Sequence, residues 1–177
     1  MKTRLTCGLA LSSSILSLTL NVVTILAQAN HQSISEPTAS ILRGIDKPVV
    51  NEFQKAWRLS EAGNERMEVL VLLYRMRDHS LLASLRGLSG DIGEFRFAWN
   101  PTIIAVVHTH TNGVDPRPSS TDCRLADRFK IPVFTMTRRG MFVYDPFTRK
   151  TVEVQVNLDW LDLSKWQAVG PSLVKSR

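Results

Sequence analysis

Apolar residues are grouped into short runs along most of the chain, a pattern that predicts β-strands. The run at 67–76 is too apolar for a half-exposed strand, so we expect it to lie in the centre of a sheet. The run at 103–107 is short, β-branched and bounded by Pro101 and a turn-rich segment, which indicates a second buried strand. The predicted strands span residues 67–76, 80–85, 94–99, 103–107, 131–137, 141–145 and 151–156.

Two helices are predicted from apolar spacing and from end signals. The first runs from Pro48 to Ala62, with a proline near its start and Gly63 after its end. The second starts after Ser119 or Ser120, either of which can cap it, and buries Leu125, Ala126 and Phe129. The last three strands form a predicted meander, and the segment around 160–166 is expected to pack on the domain. This succession predicts an α/β fold with a mixed sheet packed by helices.

The chain begins with a segment typical of export. Residues 1–29 carry Lys2 and Arg4, then an apolar stretch with serines and threonines, then the small-residue cleavage signal Ala27-Gln28-Ala29. We therefore predict a signal peptide cleaved after Ala29 and a secreted or periplasmic protein without a stable membrane anchor. Residues 30–46 lack periodicity and are predicted to be a flexible leader, so that the single domain spans 47–177.

Composition narrows the classes of partner. Cleavage leaves 148 residues, enough for one domain, and lowers the formal charge from +6 to +4 because only Lys2 and Arg4 leave. Such a modest surplus does not favour nucleic acid as a partner. Only Cys123 remains in the exported chain, which excludes an internal disulfide.

Candidate chemistry is concentrated at the end of the strand 103–107. His108 and His110 are two residues apart on an extended chain, so their side chains face the same side and can share one ion. A turn-rich loop follows, and Asp122 lies in the first turn of the predicted helix, where the loop can return its carboxylate to the histidines. Two imidazole nitrogens and one carboxylate oxygen leave a tetrahedral zinc with an open position, as in catalytic sites.

The same residues resemble the JAMM motif of the JAB/MPN metalloprotease family, whose pattern is His-x-His, seven residues, then Ser-x-x-Asp. The stretch 115–119 is especially similar to bacterial JAB domains. The resemblance implies a JAB/MPN-like fold, related to the cytidine deaminases. It implies Zn²⁺ held by His108, His110 and Asp122, with Ser119 polarising the substrate carbonyl. In this chain eight residues, rather than seven, separate His110 from Ser119, and Thr111 stands where the family commonly has proline.

The family also uses an upstream glutamate as general base, and four glutamates are candidates. We predict Glu68, which opens an apolar strand. A carboxylate is costly to bury there unless a partner compensates it, and a zinc-bound water would be such a partner. Glu65 is the alternative, since Glu65-x-x-Glu68 imitates the family's Glu-x-x-Gly with the glycine replaced. The remaining candidates are Glu61 and Glu94.

These patterns predict a secreted zinc-dependent peptidase or isopeptidase whose substrate is a peptide or protein. The alternative is a non-catalytic JAB-like module that binds a peptide or a partner protein. A zinc deaminase is excluded, because its His-x-Glu and Pro-Cys-x-x-Cys signatures are missing. The sequence predicts neither the particular substrate nor the oligomeric state.

Overall fold

The structure, a computed structural model, describes residues 34–64, 67–88 and 95–167, which belong to one compact unit. Its helices are α1 (Glu36–Arg43), α2 (Lys47–Leu59), α3 (Ser120–Phe129) and α4 (Leu163–Gln167), with short 3₁₀ helices at Glu61–Gly63 and Asp159–Leu161. Its strands are β1 (Val69–Arg75), β2 (Leu81–Leu88), β3 (Ile103–Thr109), β4 (Val133–Thr137), β5 (Gly140–Asp145) and β6 (Lys150–Val156).

The six strands form one mixed sheet in the order β2-β1-β3-β4-β5-β6. Strands β3 and β4 are parallel and every other neighbouring pair is antiparallel. Because parallel neighbours need a crossover, the chain passes from β3 to β4 through α3. The start of α3 therefore lies near the carboxyl end of β3, and the carboxyl ends of parallel strands are a common location for ligand sites in α/β folds.

Both faces of the sheet are covered, which explains why the central strands are apolar throughout. Val69, Val71 and Leu73 of β1 pack in a core with α1, α2 and the tryptophans of the C-terminal segment. Leu70 and Leu72 face the opposite way, into a second core with α3. The predicted α/β class, mixed sheet and final meander are thus confirmed.

Caps fix the starts of the two longer helices. The Asp46 carboxylate accepts a hydrogen bond from the Val49 backbone N–H at the start of α2. Ser119 caps α3, as one of the two predicted alternatives had it. Within the described ranges, no helix is both long enough and apolar enough to cross a membrane.

The flexible leader predicted for 30–46 is wrong over its described part. Helix α1 occupies most of it, with Pro37 in its first turn and Ile41 and Leu42 buried. The Ser35 backbone N–H donates to the buried carboxylate of Asp145, which ties the helix to the end of β5. Eight residues are too few for periodicity to identify a helix. The packed domain therefore begins before residue 47, while the predicted signal peptide lies outside the described residues.

The strand predicted at 94–99 is also wrong where it is described. Residues 95–100 form no strand, and Glu94 lies outside the described residues. Phe95 and Phe97 nevertheless pack on the second core, which accounts for the alternation that prompted the prediction. Alternation reports which side chains face a core, not whether the backbone has a pairing partner.

Candidate metal centre

The end of β3 brings the two predicted histidines together. His108 lies on the face that carries α3, and His110 follows the strand by one residue. Their Nε2 atoms are 3.1 Å apart, and both side chains are buried. The His110 backbone N–H donates to the Met136 carbonyl, which continues the pairing with β4 beyond the last strand residue. The pair of imidazoles is therefore held by the sheet itself.

Strand pairing places Glu68 in the same site. Leu70 of β1 lies opposite His108 in the antiparallel ladder. Because the strands run in opposite directions, Glu68, two residues before Leu70, lies level with His110, two residues after His108. Glu68 Oε1 is accordingly 3.9 Å from His110 Nε2, and the residue is buried. Glu68, His108 and His110 form a group whose ligand atoms all lie within 4.8 Å of one another, a group that could hold a metal ion.

Asp122 lies beside this group but outside it. Its Oδ2 is 3.7 Å from His108 Nε2 and accepts hydrogen bonds from the Ser119 backbone N–H at 2.7 Å and the Ser119 hydroxyl at 2.6 Å. The Ser119 hydroxyl in turn accepts a bond from the Asp122 backbone N–H, which completes a capping box. Both residues predicted from the motif thus lie near the histidines, yet here they bond to each other.

The two histidines differ in what supports them. His110 Nδ1 donates to the Asp115 carbonyl at 2.8 Å, so its Nε2 carries the lone pair when the ring is neutral. His108 Nδ1 has no hydrogen-bond partner among the described residues. The Phe95 ring packs edge-on against His108, with ring centroids 5.5 Å apart. His110 is therefore oriented by a hydrogen bond, whereas packing holds His108.

Burial changes the charge states of these groups. It raises the pKa of Glu68 from its ordinary 4.5 to about 7, and the charge of Asp122 adds to the increase. Burial also lowers the pKa of His108 to about 4; the Asp122 carboxylate opposes this shift, and His110 adds to it. Near neutral pH the site therefore offers an unprotonated His108 and a Glu68 that can either hold or release a proton.

Of the other candidate glutamates, the structure describes only Glu61, which does not lie at the site. Glu61 is an exposed residue of the first 3₁₀ helix, outside the ligand group. Glu65, the alternative base, lies outside the described residues. The site opens into a cavity of about 400 Å³ lined by Glu68, both histidines, Asp122 and the loop 114–120. An exposed ion pair between Asp115 and Arg117 stands at its rim.

A contact between two loops, which the sequence did not indicate, supports both halves of the site. The Asn112 backbone N–H donates to the Gly63 carbonyl, and its side-chain amide donates to the Ala62 carbonyl and to Asn64 Oδ1. Gly63 has φ +77, and a Cβ there would lie 3.1 Å from the His110 carbonyl, so the approach requires glycine. The chain before Glu68 is thereby joined to the chain after His110.

We expect Asn112→Ala to lower the free energy of unfolding by about 1 kcal/mol, because two hydrogen bonds between the loops are lost. Urea denaturation measures this directly. Asn51→Ala, on the exposed side of α2, is the matched control and should leave stability unchanged or slightly raised. Equal effects of the two substitutions would contradict a structural role for the Asn112 contact.

Comparison with known proteins does not assign the chain to a family. No family model matches the sequence, and no curated protein matches it. What is established is a small α/β domain with a mixed six-stranded sheet and a buried group of two histidines and one glutamate that could hold a metal ion.

Proposed function

We propose that this protein is an exported, zinc-dependent hydrolase of amide bonds, with a JAB/MPN-like fold and a JAMM-type site. The observation that carries the proposal is the convergence of four groups at the end of one buried strand. The Nε2 atoms of His108 and His110 face each other. Asp122 lies beside His108, and Glu68 lies beside His110. Paired carboxylates and neutral imidazoles around a cavity are the components of metal-assisted hydrolysis.

The residues present fit zinc. A tetrahedral zinc with Zn–N bonds of about 2.0–2.1 Å holds two nitrogen ligands about 3.3 Å apart, and the two Nε2 atoms are 3.1 Å apart. His108 and His110 would hold the ion, with Asp122 as the third ligand by resemblance to the family. Zinc, when bound, supplies Lewis acidity to an attacking water and to a substrate carbonyl.

The protein's own part in the reaction is proton transfer and orientation. Glu68 takes a proton from the attacking water and delivers it to the departing amine nitrogen, for which a carboxyl pKa near neutrality is well suited. Asp115 fixes the ring of His110 through its carbonyl. The Ser119 hydroxyl would donate a hydrogen bond to the substrate carbonyl oxygen. In this structure the same hydroxyl donates its hydrogen bond to Asp122.

The proposal is tested by the zinc content of the purified protein. We expect about one zinc per chain, as in mononuclear sites of this type, and loss of that zinc in His110→Ala and in Asp122→Ala. Asp78→Ala, in the exposed turn between β1 and β2, is the control and should bind zinc like the parent chain. No zinc in the parent protein, even after reconstitution, would overturn the hydrolase.

One observation favours a second candidate, a JAB-like module that binds a peptide or protein without cleaving it. The hydrogen bonds between Ser119 and Asp122 occupy the groups that the hydrolase would use on substrate and metal. In that case peptide binding should occur without zinc and without turnover. A zinc-loaded protein that hydrolyses amides would eliminate this candidate.

A further inference from the structure

We infer that Thr135 is a positioning residue, which fixes the ring of His110 for metal binding by holding the loop that orients this ring. The inference rests on the proposed function, because that function makes His110 a zinc ligand. Thr135 lies outside the ligand group itself. It acts through two hydrogen bonds in series, one from its own hydroxyl and one from the histidine.

Thr135 is a polar residue in an otherwise apolar part of β4. It has no exposed surface, and its partner across the parallel pair of strands is His108. Its neighbours Phe134 and Met136 pack in the core that contains α1 and α2, so Thr135 faces the α3 side of the sheet, as His108 does. A hydroxyl buried at such a position is costly unless it has a hydrogen-bond partner.

The partner of this hydroxyl is the loop between β3 and α3. Thr135 donates to the backbone carbonyl of Pro116, which is buried. The preceding carbonyl, that of Asp115, accepts the hydrogen bond from His110 Nδ1. The ring of Pro116 locks the torsion angle φ that joins these two carbonyl carbons, so the position of one constrains the position of the other.

Local interactions within the loop do not replace this anchor. Pro116 and Pro118 have no backbone N–H with which to bond to the sheet. The Asp115 carboxylate accepts hydrogen bonds from the side chain of Arg117, an exposed pair that joins two residues of the same loop. The Thr135 hydroxyl therefore supplies a connection from the loop to the centre of the sheet.

Loss of the hydroxyl should loosen the ring of His110. The buried carbonyl of Pro116 would lack this donor and should move to find another, and the carbonyl of Asp115 would move with it. The ring of His110 would then have to be ordered when the metal binds, which weakens binding. His108, whose Nδ1 has no partner among the described residues, cannot compensate by a bond of the same kind.

Zinc affinity, measured by competition with a chromogenic chelator, is the first readout. Thr135→Val keeps the shape of the side chain and removes the hydroxyl. We expect it to weaken zinc binding about tenfold, the lower end of the range for groups that orient a metal ligand. Thr135→Ser keeps the hydroxyl and should retain the affinity of the parent protein.

Thr38→Val is the matched control. Thr38 is as fully buried as Thr135, and its hydroxyl accepts a hydrogen bond from Ser35, but it lies on α1 at the opposite face of the sheet. This variant should bind zinc like the parent protein. An equal loss of affinity in Thr38→Val would overturn the inference, because any buried hydroxyl would then have the same effect. A loss in Thr135→Ser as large as that in Thr135→Val would also overturn it.

The second readout is the tautomer of His110 in the metal-free protein. Nitrogen-15 NMR at about pH 9, where imidazoles are neutral, shows which ring nitrogen carries the proton, and His110→Ala identifies the signals. In the parent protein and in Thr135→Ser we expect the proton on Nδ1, bonded to the Asp115 carbonyl. In Thr135→Val it should be shared between the two nitrogens. A proton that stays on Nδ1 in Thr135→Val would contradict the positioning role.

The two readouts separate this inference from the proposed function. A parent protein that binds no zinc would refute the hydrolase, and the tautomer of His110 would still decide whether Thr135 orients the ring. A zinc-loaded, active protein in which Thr135→Val changes neither the zinc affinity nor the tautomer would refute only the role of Thr135.

Discussion

Replacement of Glu68 by glutamine is expected to reduce amide hydrolysis about a thousandfold, within the range for loss of a general base. Glutamine keeps the shape of the side chain but cannot accept the proton of the attacking water. Zinc content should remain that of the parent protein, because by resemblance the ligands are His108, His110 and Asp122. Release of free amines from a mixed peptide pool and metal analysis of the same samples provide the two readouts.

The measured zinc content distinguishes two roles that the geometry leaves close together. The compact ligand group contains Glu68 rather than Asp122. If Glu68 is itself the third ligand, Glu68→Gln should lose zinc while Asp122→Ala retains it, the reverse of the proposed pattern. Glu153→Gln is the control, since this exposed carboxylate lies on β6 at the far edge of the sheet. Its activity and zinc content should match those of the parent protein.

Much of this site could be predicted because it follows from local rules. Two histidines at alternate positions on a strand must share a face, and the structure brings their Nε2 atoms to 3.1 Å. A serine followed three residues later by an aspartate indicates a capped helix, which is observed at Ser119. A carboxylate at the start of an apolar strand is costly to bury without a compensating partner, which favours Glu68, and the structure buries Glu68 beside His110.

Other features depend on tertiary contacts to which the sequence gives no local signal. Helix α1 is short, and its anchor is the Ser35–Asp145 hydrogen bond between residues 110 positions apart. The bonding between Ser119 and Asp122 competes with the roles that the motif assigns to them, and only three-dimensional geometry reveals it. The contact of Asn112 with Gly63 likewise joins segments that are distant in sequence. The pair Asn112-Gly113 predicts a turn at that position but not the segment that the turn contacts.

The opposed pKa shifts at the site predict how pH changes the stability of the protein after zinc is removed with a chelator. Glu68 has a raised pKa, so its neutral form contributes stability below pH 4.5, and this is lost as pH rises to about 7. His108 has a lowered pKa, so its neutral form contributes to the stability of the protein above pH 6.5, and this contribution is lost as pH falls to about 4. Between these limits the two contributions change in opposite directions and partly cancel.

Glu68→Gln removes one of the two contributions and so exposes the other. Above about pH 7 the metal-free variant should be more stable than the metal-free parent by about 2 kcal/mol, since it no longer buries an ionised carboxylate. The difference should vanish below pH 4.5, and the variant should lose stability more steeply as His108 protonates. Urea denaturation across this range measures both effects, with Glu153→Gln as the control. A difference that does not change with pH would show that burial of Glu68 does not perturb its ionisation, and the same carboxyl would then lack the near-neutral pKa on which its role as general base depends.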